Sequence, residues 1–501
     1  MNNSKQRNAG IIMSYALLIL DTIISIVYTP ILLKKLGDSQ YGLYQLMTSM
    51  VNYLAIMDLG LGSTITRYVV KYKTENDKKG ESNFLAISLI VYGAISILVL
   101  ILGSLMWGNI GNIFRGLEST EVQAAKSLFA LMCINLVVSL FDHAFTGILT
   151  AYEQFVADKG IKIARICIRA ILVILVLQFY AYAIVISAIE LILTVTILIA
   201  KIILCRKKIK VQPRLHFWDG GLLREVFGFT AAILIQTIAN QFNNNVDKTV
   251  LGMFASTAIV AVYSVAMQLF SAYSGLSTAV QAVFLPKISK KVYEGADDVA
   301  ITKSLIQPSR LQFMILLAVL SGFWLYGKEF IILWCGKEEA WLIASIIMTA
   351  ATLELFQNCT TSVLKAKKLL LGRTFITAGT AVANFVITIL LVPKYGMLGA
   401  AMGTVFTLLI GYGIGNNIYY RKIGIKLGIF FKEVLYGILP AGIVSFAIGS
   451  VIKYFLPSGT WLSFAIKVMA FCIVYVVILG VIGLNNSEKA ALKKQIERRL
   501  K

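Results

Sequence analysis

Apolar runs of about 20 residues return along nearly the whole chain, separated by short loops. Each is long enough to cross roughly 30 Å of hydrocarbon as a helix. Inside that solvent a backbone must satisfy its own hydrogen bonds, which leaves only helices and closed barrels. A barrel would alternate apolar and polar residues, and the runs do not alternate. The chain is therefore read as an all-α, polytopic membrane protein. Charged residues make up 14% of its 501 residues, well below the roughly one quarter usual in soluble domains.

Fourteen spans are expected, near 11–33, 41–63, 84–106, 127–149, 161–180, 182–204, 222–245, 257–285, 305–327, 341–364, 372–392, 397–419, 433–455 and 461–483. Lys and Arg concentrate in alternate loops, as in Lys71/Lys73/Lys78/Lys79, Arg206/Lys207/Lys208/Lys210 and Lys287/Lys290/Lys291. A missed or invented span would invert the parity of every later loop. The basic bias thus supports fourteen spans with both termini cytoplasmic. It also accounts for the net charge of +22 without a nucleic-acid partner. The expected organisation is an N-terminal six-helix lobe at 1–204, a cytoplasmic basic linker at 205–221, and a C-terminal six-helix lobe at 222–419. Helices 13 and 14 follow at 420–484, then a basic cytoplasmic tail at 485–501. That tail reads equally as a helix on the inner membrane surface or as a solvated charged segment.

Several motifs are set aside. Gly322 to Lys328 fits GxxxxGK, but Glu329 stands where a phosphate loop needs Ser or Thr, so this reads as a helix end closing span 9. The cysteines at 133, 167, 205, 335, 359 and 472 have no CxxC spacing, and neither a metal site nor a disulfide framework is expected. His143 and His216 are too isolated for a catalytic pair. Asp142-His143 reads as ordinary hydrogen bonding at the end of span 4. No loop is long enough for sugar chemistry, so the chain is not expected to be an enzyme.

Ionisable residues within spans are costly and tend to face a cavity or one another. Arg165 and Arg169 are four apart, on one face of span 5. Asp21 is central in span 1, Glu190 in span 6 and Glu354 in span 10. Arg310 lies near the inner end of span 9, Lys467 within span 14, and Asp247-Lys248 near the outer end of span 7. The bland readings stand beside these. Arg165 and Arg310 can snorkel to the inner surface, Lys467 can be structural, and the three carboxylates are either partners of the arginines or carriers of a coupling ion. Gly396, Gly399, Gly403, Gly411 and Gly415 give small-residue faces for close helix contact.

The stretch from Val27 to Lys71 has a weaker copy at Val246 to Lys287, where Leu251-Gly252 echoes Leu36-Gly37 and Tyr263 echoes Tyr44. A repeat spaced by nearly half the chain is an arrangement many transporters use. LLKKLGDSQYGLYQL at 32–46, MDLGLGSTITRYVVKY at 57–72, Leu285-Pro286-Lys287 and VPKYGMLGAAMGT at 392–404 resemble the polysaccharide-transporter branch of the MOP (multidrug/oligosaccharidyl-lipid/polysaccharide) exporter superfamily, the Wzx-type flippases. The resemblance implies two six-helix lobes forming a V around a central cavity, with two extra helices beside them. It implies movement of an undecaprenyl-diphosphate-linked oligosaccharide from the inner to the outer leaflet of a bacterial cell membrane. Arg67 matches the Arg after the span-2 glycines and is the one residue carried over by motif.

The expected mechanism is alternating access through a cationic cavity. Arg169 and Arg165 attract the diphosphate, with Arg67, Lys248 and Arg310 as weaker candidates. Asp21, Glu190 or Glu354 couple H⁺ or Na⁺, with no other cofactor. The expected partners are the lipid-linked oligosaccharide, membrane lipid, and the polymerase and glycosyltransferases of the same pathway. The alternatives are a Na⁺- or H⁺-coupled multidrug cation antiporter of the same superfamily and, less favoured, a membrane glycosyltransferase or polymerase.

Overall fold

The computed structural model describes residues 3–209, 212–218, 220–490 and 497, and among them the chain is helical with no strand. Positions 210, 211 and 219 of the basic linker, and 491–496 and 498–501 of the tail, lie outside the described residues. The chain divides into two compact units, Met1–Ala261 and Val262–Lys501.

The first unit begins with α1 (Asn3–Leu54), which is two helices joined at Gly37. Gly37 has φ 74° and ψ 171°, a region open essentially to glycine alone, so the Leu36-Gly37 turn needs no longer loop. A tight turn at Ala55–Asp58 and left-handed Leu59 and Gly60 then break the chain. The sequence MDLGLG is thus an interruption, and helix α2 (Leu61–Thr74) runs on past Arg67, where a loop was expected. Next come α3 (Lys78–Ile113), α4 (Ser119–Ala151), α5 (Phe155–Val176), α6 (Ala183–Leu204) and α7 (Gly220–Phe254). Helix α7, first of the expected second lobe, packs within this unit on α1, where Asn52 Nδ2 donates to Asn245 Oδ1 at 3.1 Å. The echo of Gly37 does not extend to backbone geometry, because Gly252 is an ordinary helical residue of α7 that packs on Leu46.

The core of this unit is built by Leu43, Leu46, Met47, Val69, Tyr92, Phe129 and Leu140, all buried. On α3 the opposite condition holds: Ile97, Ile101 and Leu105, one turn apart, are exposed. An outward apolar stripe at helical spacing is what a helix presents to lipid.

Helix α8 (Thr257–Tyr293) carries the chain into the second unit. There follow α9 (Asp298–Cys335), α10 (Ala340–Leu355), α11 (Thr360–Ala366), α12 (Leu370–Thr407), α13 (Asn416–Lys422), α14 (Leu427–Leu435), α15 (Ile438–Phe455) and α16 (Trp461–Ile478). Helices α10 and α11 meet at a bend of 46°. Helix α12 is again two helices, joined at Gly396 with φ 54° and ψ −132°.

Among the described residues nine helices are long and apolar enough to cross a membrane, or ten when the bent α10–α11 pair counts as one. Two of those stretches, Ile12–Thr74 and Leu370–Lys422, each contain two spans joined at Gly37 or Gly396. With α5 and α7, helices of 22 and 35 residues, the fourteen spans read from the sequence are all present as helices. The protein is a multi-pass, all-α membrane protein.

Candidate functional site

Helix α5 carries Arg165 and Arg169 one turn apart, and α6 lies beside it with Glu190 facing both. Arg165 Nη2 donates to Glu190 Oε2 at 3.1 Å and to Thr194 Oγ1 at 3.1 Å. Arg169 Nε pairs with the other carboxylate oxygen, Glu190 Oε1. One carboxylate is thus shared by two guanidiniums, and the cluster retains a net positive charge. The guanidinium carbon of Arg169 also sits 5.2 Å from the ring centroid of Tyr28 on α1, within reach of a cation–π contact. The side chains remain 35% (Arg165), 29% (Arg169) and 17% (Glu190) exposed.

The cluster opens on a cavity of about 260 Å³ within the first unit, bounded by Tyr44, Thr48 and Asn52 of α1, Asn135 and Ser139 of α4, Arg165, and Ser187 and Glu190 of α6. Its lining contains amides and hydroxyls, one guanidinium and one carboxylate. Asn135 Oδ1 and Ser187 Oγ are buried with no hydrogen-bond partner among the described residues. Buried polar atoms are ordinarily satisfied by protein or ordered water, and a polar guest in the cavity would serve the same end. The arrangement can hold an anion with hydroxyl groups attached.

Of the residues singled out in the sequence, Arg165, Arg169 and Glu190 come together. The others lie elsewhere. Arg67 is exposed on α2, and Asp21 is exposed on α1. Lys248 donates to Gln45 Oε1 at 3.2 Å, on the face of α7 that meets α1. In the second unit, Glu354 pairs with Arg373 at 2.8 Å, and Arg373 also reaches Thr361. Lys467 is buried against Glu329 at 2.8 Å and Ser458 at 2.7 Å. The GxxxxGK segment is not the helix end expected from the sequence: α9 continues through it to Cys335, with Lys328 paired to Glu338 at 2.6 Å.

Arg310 is buried, and all five of its N–H donors are engaged. Nε and Nη2 bind the two oxygens of Glu488 at 2.7 and 2.9 Å. Nη1 donates to the carbonyls of Glu433 and Tyr436 at 2.6 and 3.0 Å, and Nη2 to that of Gly483 at 2.7 Å. A guanidinium has no sixth donor, so Arg310 joins α9 to the ends of α14 and α16 and to the start of the tail. There Asn485 and Glu488 form a reciprocal cap, with Asn485 N donating to Glu488 Oε2 and Glu488 N to Asn485 Oδ1. Arg310 and Glu329 stand ~28 Å apart along α9 at 1.5 Å per residue. The last two spans are therefore held to α9 at both ends.

Two clusters escaped the sequence reading. Lys201 is buried at the end of α6 and donates to Asp142 Oδ2 at 2.7 Å and Thr146 Oγ1 at 2.8 Å, with Asp158 at 4.0 Å. Asp58, in the break before α2, accepts from Tyr92 at 3.2 Å and lies 3.3 Å from His143 Nδ1. Lys201 was visible as a lone cation in an apolar run. Its two carboxylates lie on separate helices, and nothing in their spacing links them.

A model of the family described as polysaccharide biosynthesis protein matches residues 7–292. A Shigella flexneri protein named "Putative O-antigen transporter" is 24% identical over 392 residues, covering 76% of this chain and 90% of that relative. Among solved structures, a lipid II flippase MurJ in an inward closed conformation aligns with TM-score 0.71 at 17% identity, covering 94% of this chain and 98% of that one. An inward-facing multidrug resistance MATE family transporter of the MOP superfamily aligns with TM-score 0.62 at 15% identity, over 82% and 98%. At these identities the structural likenesses establish the fold.

Proposed function

The chain belongs to the polysaccharide biosynthesis protein family, and from that premise we propose that it is a flippase for an undecaprenyl-diphosphate-linked oligosaccharide. It carries this lipid from the inner to the outer leaflet of the bacterial cell membrane, with both termini cytoplasmic. It acts between the glycosyltransferases that build the unit and the polymerase that consumes it. Residues 1–204 and 222–419 act as the two lobes of an alternating-access cycle.

The observation that carries the reading is the pair of arginines held by one carboxylate at a polar cavity. A diphosphate brings more than one negative charge and several acceptor oxygens into hydrocarbon depth, where unpaired charge is costly. Arginine meets such a group with two parallel N–H donors. The amides and hydroxyls of Asn52, Asn135, Ser139 and Ser187 are suited to sugar hydroxyls. A volume of about 260 Å³ is at the small end for ligand sites, so it takes the diphosphate and the adjoining sugar while the rest of the oligosaccharide lies outside. Arg67 and Lys248 serve the path rather than this pocket. Arg310, with every donor engaged, serves stability. Asp21, Glu190 and Glu354 remain the carboxylates through which H⁺ or Na⁺ would bias the cycle. A surplus of positive charge disfavours a cationic drug as cargo.

The test is lipid analysis in a strain lacking this protein and its relatives. Undecaprenyl-diphosphate oligosaccharide is expected to accumulate on the cytoplasmic face, with loss of surface polysaccharide. The wild-type chain restores the surface, and Arg169→Ala at equal expression lowers transport by roughly tenfold or more, the loss of a charge-assisted contact. Normal surface polysaccharide with new drug sensitivity would overturn the reading in favour of the cation antiporter. Unfinished oligosaccharide on the carrier would point instead to a glycosyltransferase.

A further inference from the structure

We propose that Glu190 is a built-in counter-anion, which holds Arg165 and Arg169 in the unloaded protein and is displaced by the substrate's phosphates on loading. The inference rests on the flippase reading and assigns this carboxylate a place in the cycle as the group that sets how tightly substrate is held and how readily it leaves.

The geometry of the pair carries the argument. Glu190 gives one oxygen to each guanidinium, so neither arginine has the two-pronged carboxylate contact that Arg310 has with Glu488. Arg165 also donates to Thr194 and Arg169 also hydrogen-bonds Tyr44, but each guanidinium has five donors, more than these contacts use. A phosphate that approaches with two oxygens replaces a one-oxygen contact with a two-oxygen one. Among the described residues, Glu190 is the single carboxylate lining the cavity, so the competition is between this group and the cargo. Thr194 assists the return, because its hydroxyl donates to the Glu190 carbonyl at 2.8 Å while accepting from Arg165, which keeps α6 and α5 in register when the carboxylate swings away.

The same group has a second effect. Once the cargo has left, two uncompensated guanidiniums, Arg165 lining the cavity and Arg169 one turn further along α5, would be costly and would hold any anion they met. Glu190 re-forms both contacts, speeds departure and leaves an empty carrier with less charge to return. A carboxylate kept only for structure would have no such effect on release.

The experiment uses the full-length protein in nanodiscs, with undecaprenyl diphosphate as the binding probe and lipid-linked oligosaccharide flipping as the turnover assay. Glu190→Gln is expected to bind the probe roughly 10- to 100-fold more tightly, as the charged competitor is removed. It should lower KM and kcat together, with release the slow step. Glu190→Asp keeps the charge but withdraws it by one methylene, so it should show the same split to a smaller extent. If Glu190→Gln fails to fold, the aspartate variant carries the test alone. Equal or weaker binding by either folded variant overturns the counter-anion role, and a fall in kcat at unchanged or raised KM does the same. Arg169→Ala separates this from failure of the underlying reading. If it weakens probe binding while the Glu190 variants do not strengthen it, only the counter-anion role falls; if it leaves binding unchanged, the diphosphate does not sit here and both fall.

Discussion

Arg169 and Arg310 are both arginines set in apolar helices, and their guanidiniums end in opposite conditions. Arg310 is buried and meets five acceptors, two of them the oxygens of one carboxylate. Arg169 remains partly exposed and shares a single carboxylate with Arg165. One site is saturated and neutral; the other is under-coordinated and cationic. An arginine within the membrane is expensive in either case. What separates a rivet from a binding group is the number of donors left over, and this difference orders the consequences of removing each.

The largest effect is expected at Arg310. Its truncation to Ala leaves the Glu488 carboxylate and three carbonyls without their shared partner, and breaking such a buried pair costs ~3–5 kcal/mol. Arg310→Lys is expected to rescue little of this, because an ammonium cannot reproduce the planar fork. Thermal unfolding of the purified protein, read beside transport per folded molecule, checks both. The comparison breaks if Arg310→Ala is stable and yet unable to bind undecaprenyl diphosphate.

Arg373 tests the middle ground. It pairs one-to-one with Glu354 in the second unit and reaches Thr361, so it resembles Arg310 in balance and Arg169 in remaining partly exposed. If balance decides, Arg373→Ala should cost stability by ~1–3 kcal/mol while probe binding changes less than in Arg169→Ala. If partial exposure decides, binding should fall as far as in Arg169→Ala with stability nearly intact. The same melting and binding assays separate the two.

The fourteen spans were legible because each apolar run is long and the basic loops fix their parity. Even α5, which carries Asp158, Lys159, Lys162, Arg165 and Arg169, was counted as a span at 161–180, and the parity of the basic loops supported the count. The shared face of Arg165 and Arg169 follows from spacing within one helix. The partnership with Glu190 does not, since it depends on how α5 and α6 slide past each other across the turn between them. Arg310 was harder still. Its carboxylate partner is 178 residues downstream, and its other acceptors are backbone carbonyls, which every sequence has and none distinguishes. Helix breaks were partly legible: Gly37 fell in an expected loop, whereas the break at Leu59 and Gly60 fell inside an expected span, where glycine is also common for close packing.

The smallest expected effect lies in how Arg169 is held without using its donors. The ring of Tyr28 faces the guanidinium, and a cation–π contact engages the face of the ion while its N–H edges remain free. The buried Tyr28 hydroxyl has no hydrogen-bond partner among the described residues, so the ring matters and the hydroxyl does not. Tyr28→Phe should therefore bind undecaprenyl diphosphate as the wild type does, with equal or slightly higher stability. Tyr28→Leu, which keeps bulk but loses the ring, should weaken binding roughly two- to fivefold, the worth of a partly exposed cation–π contact. If the phenylalanine variant loses as much as the leucine variant, the hydroxyl rather than the ring positions Arg169, and the contrast with Arg310 narrows to charge alone.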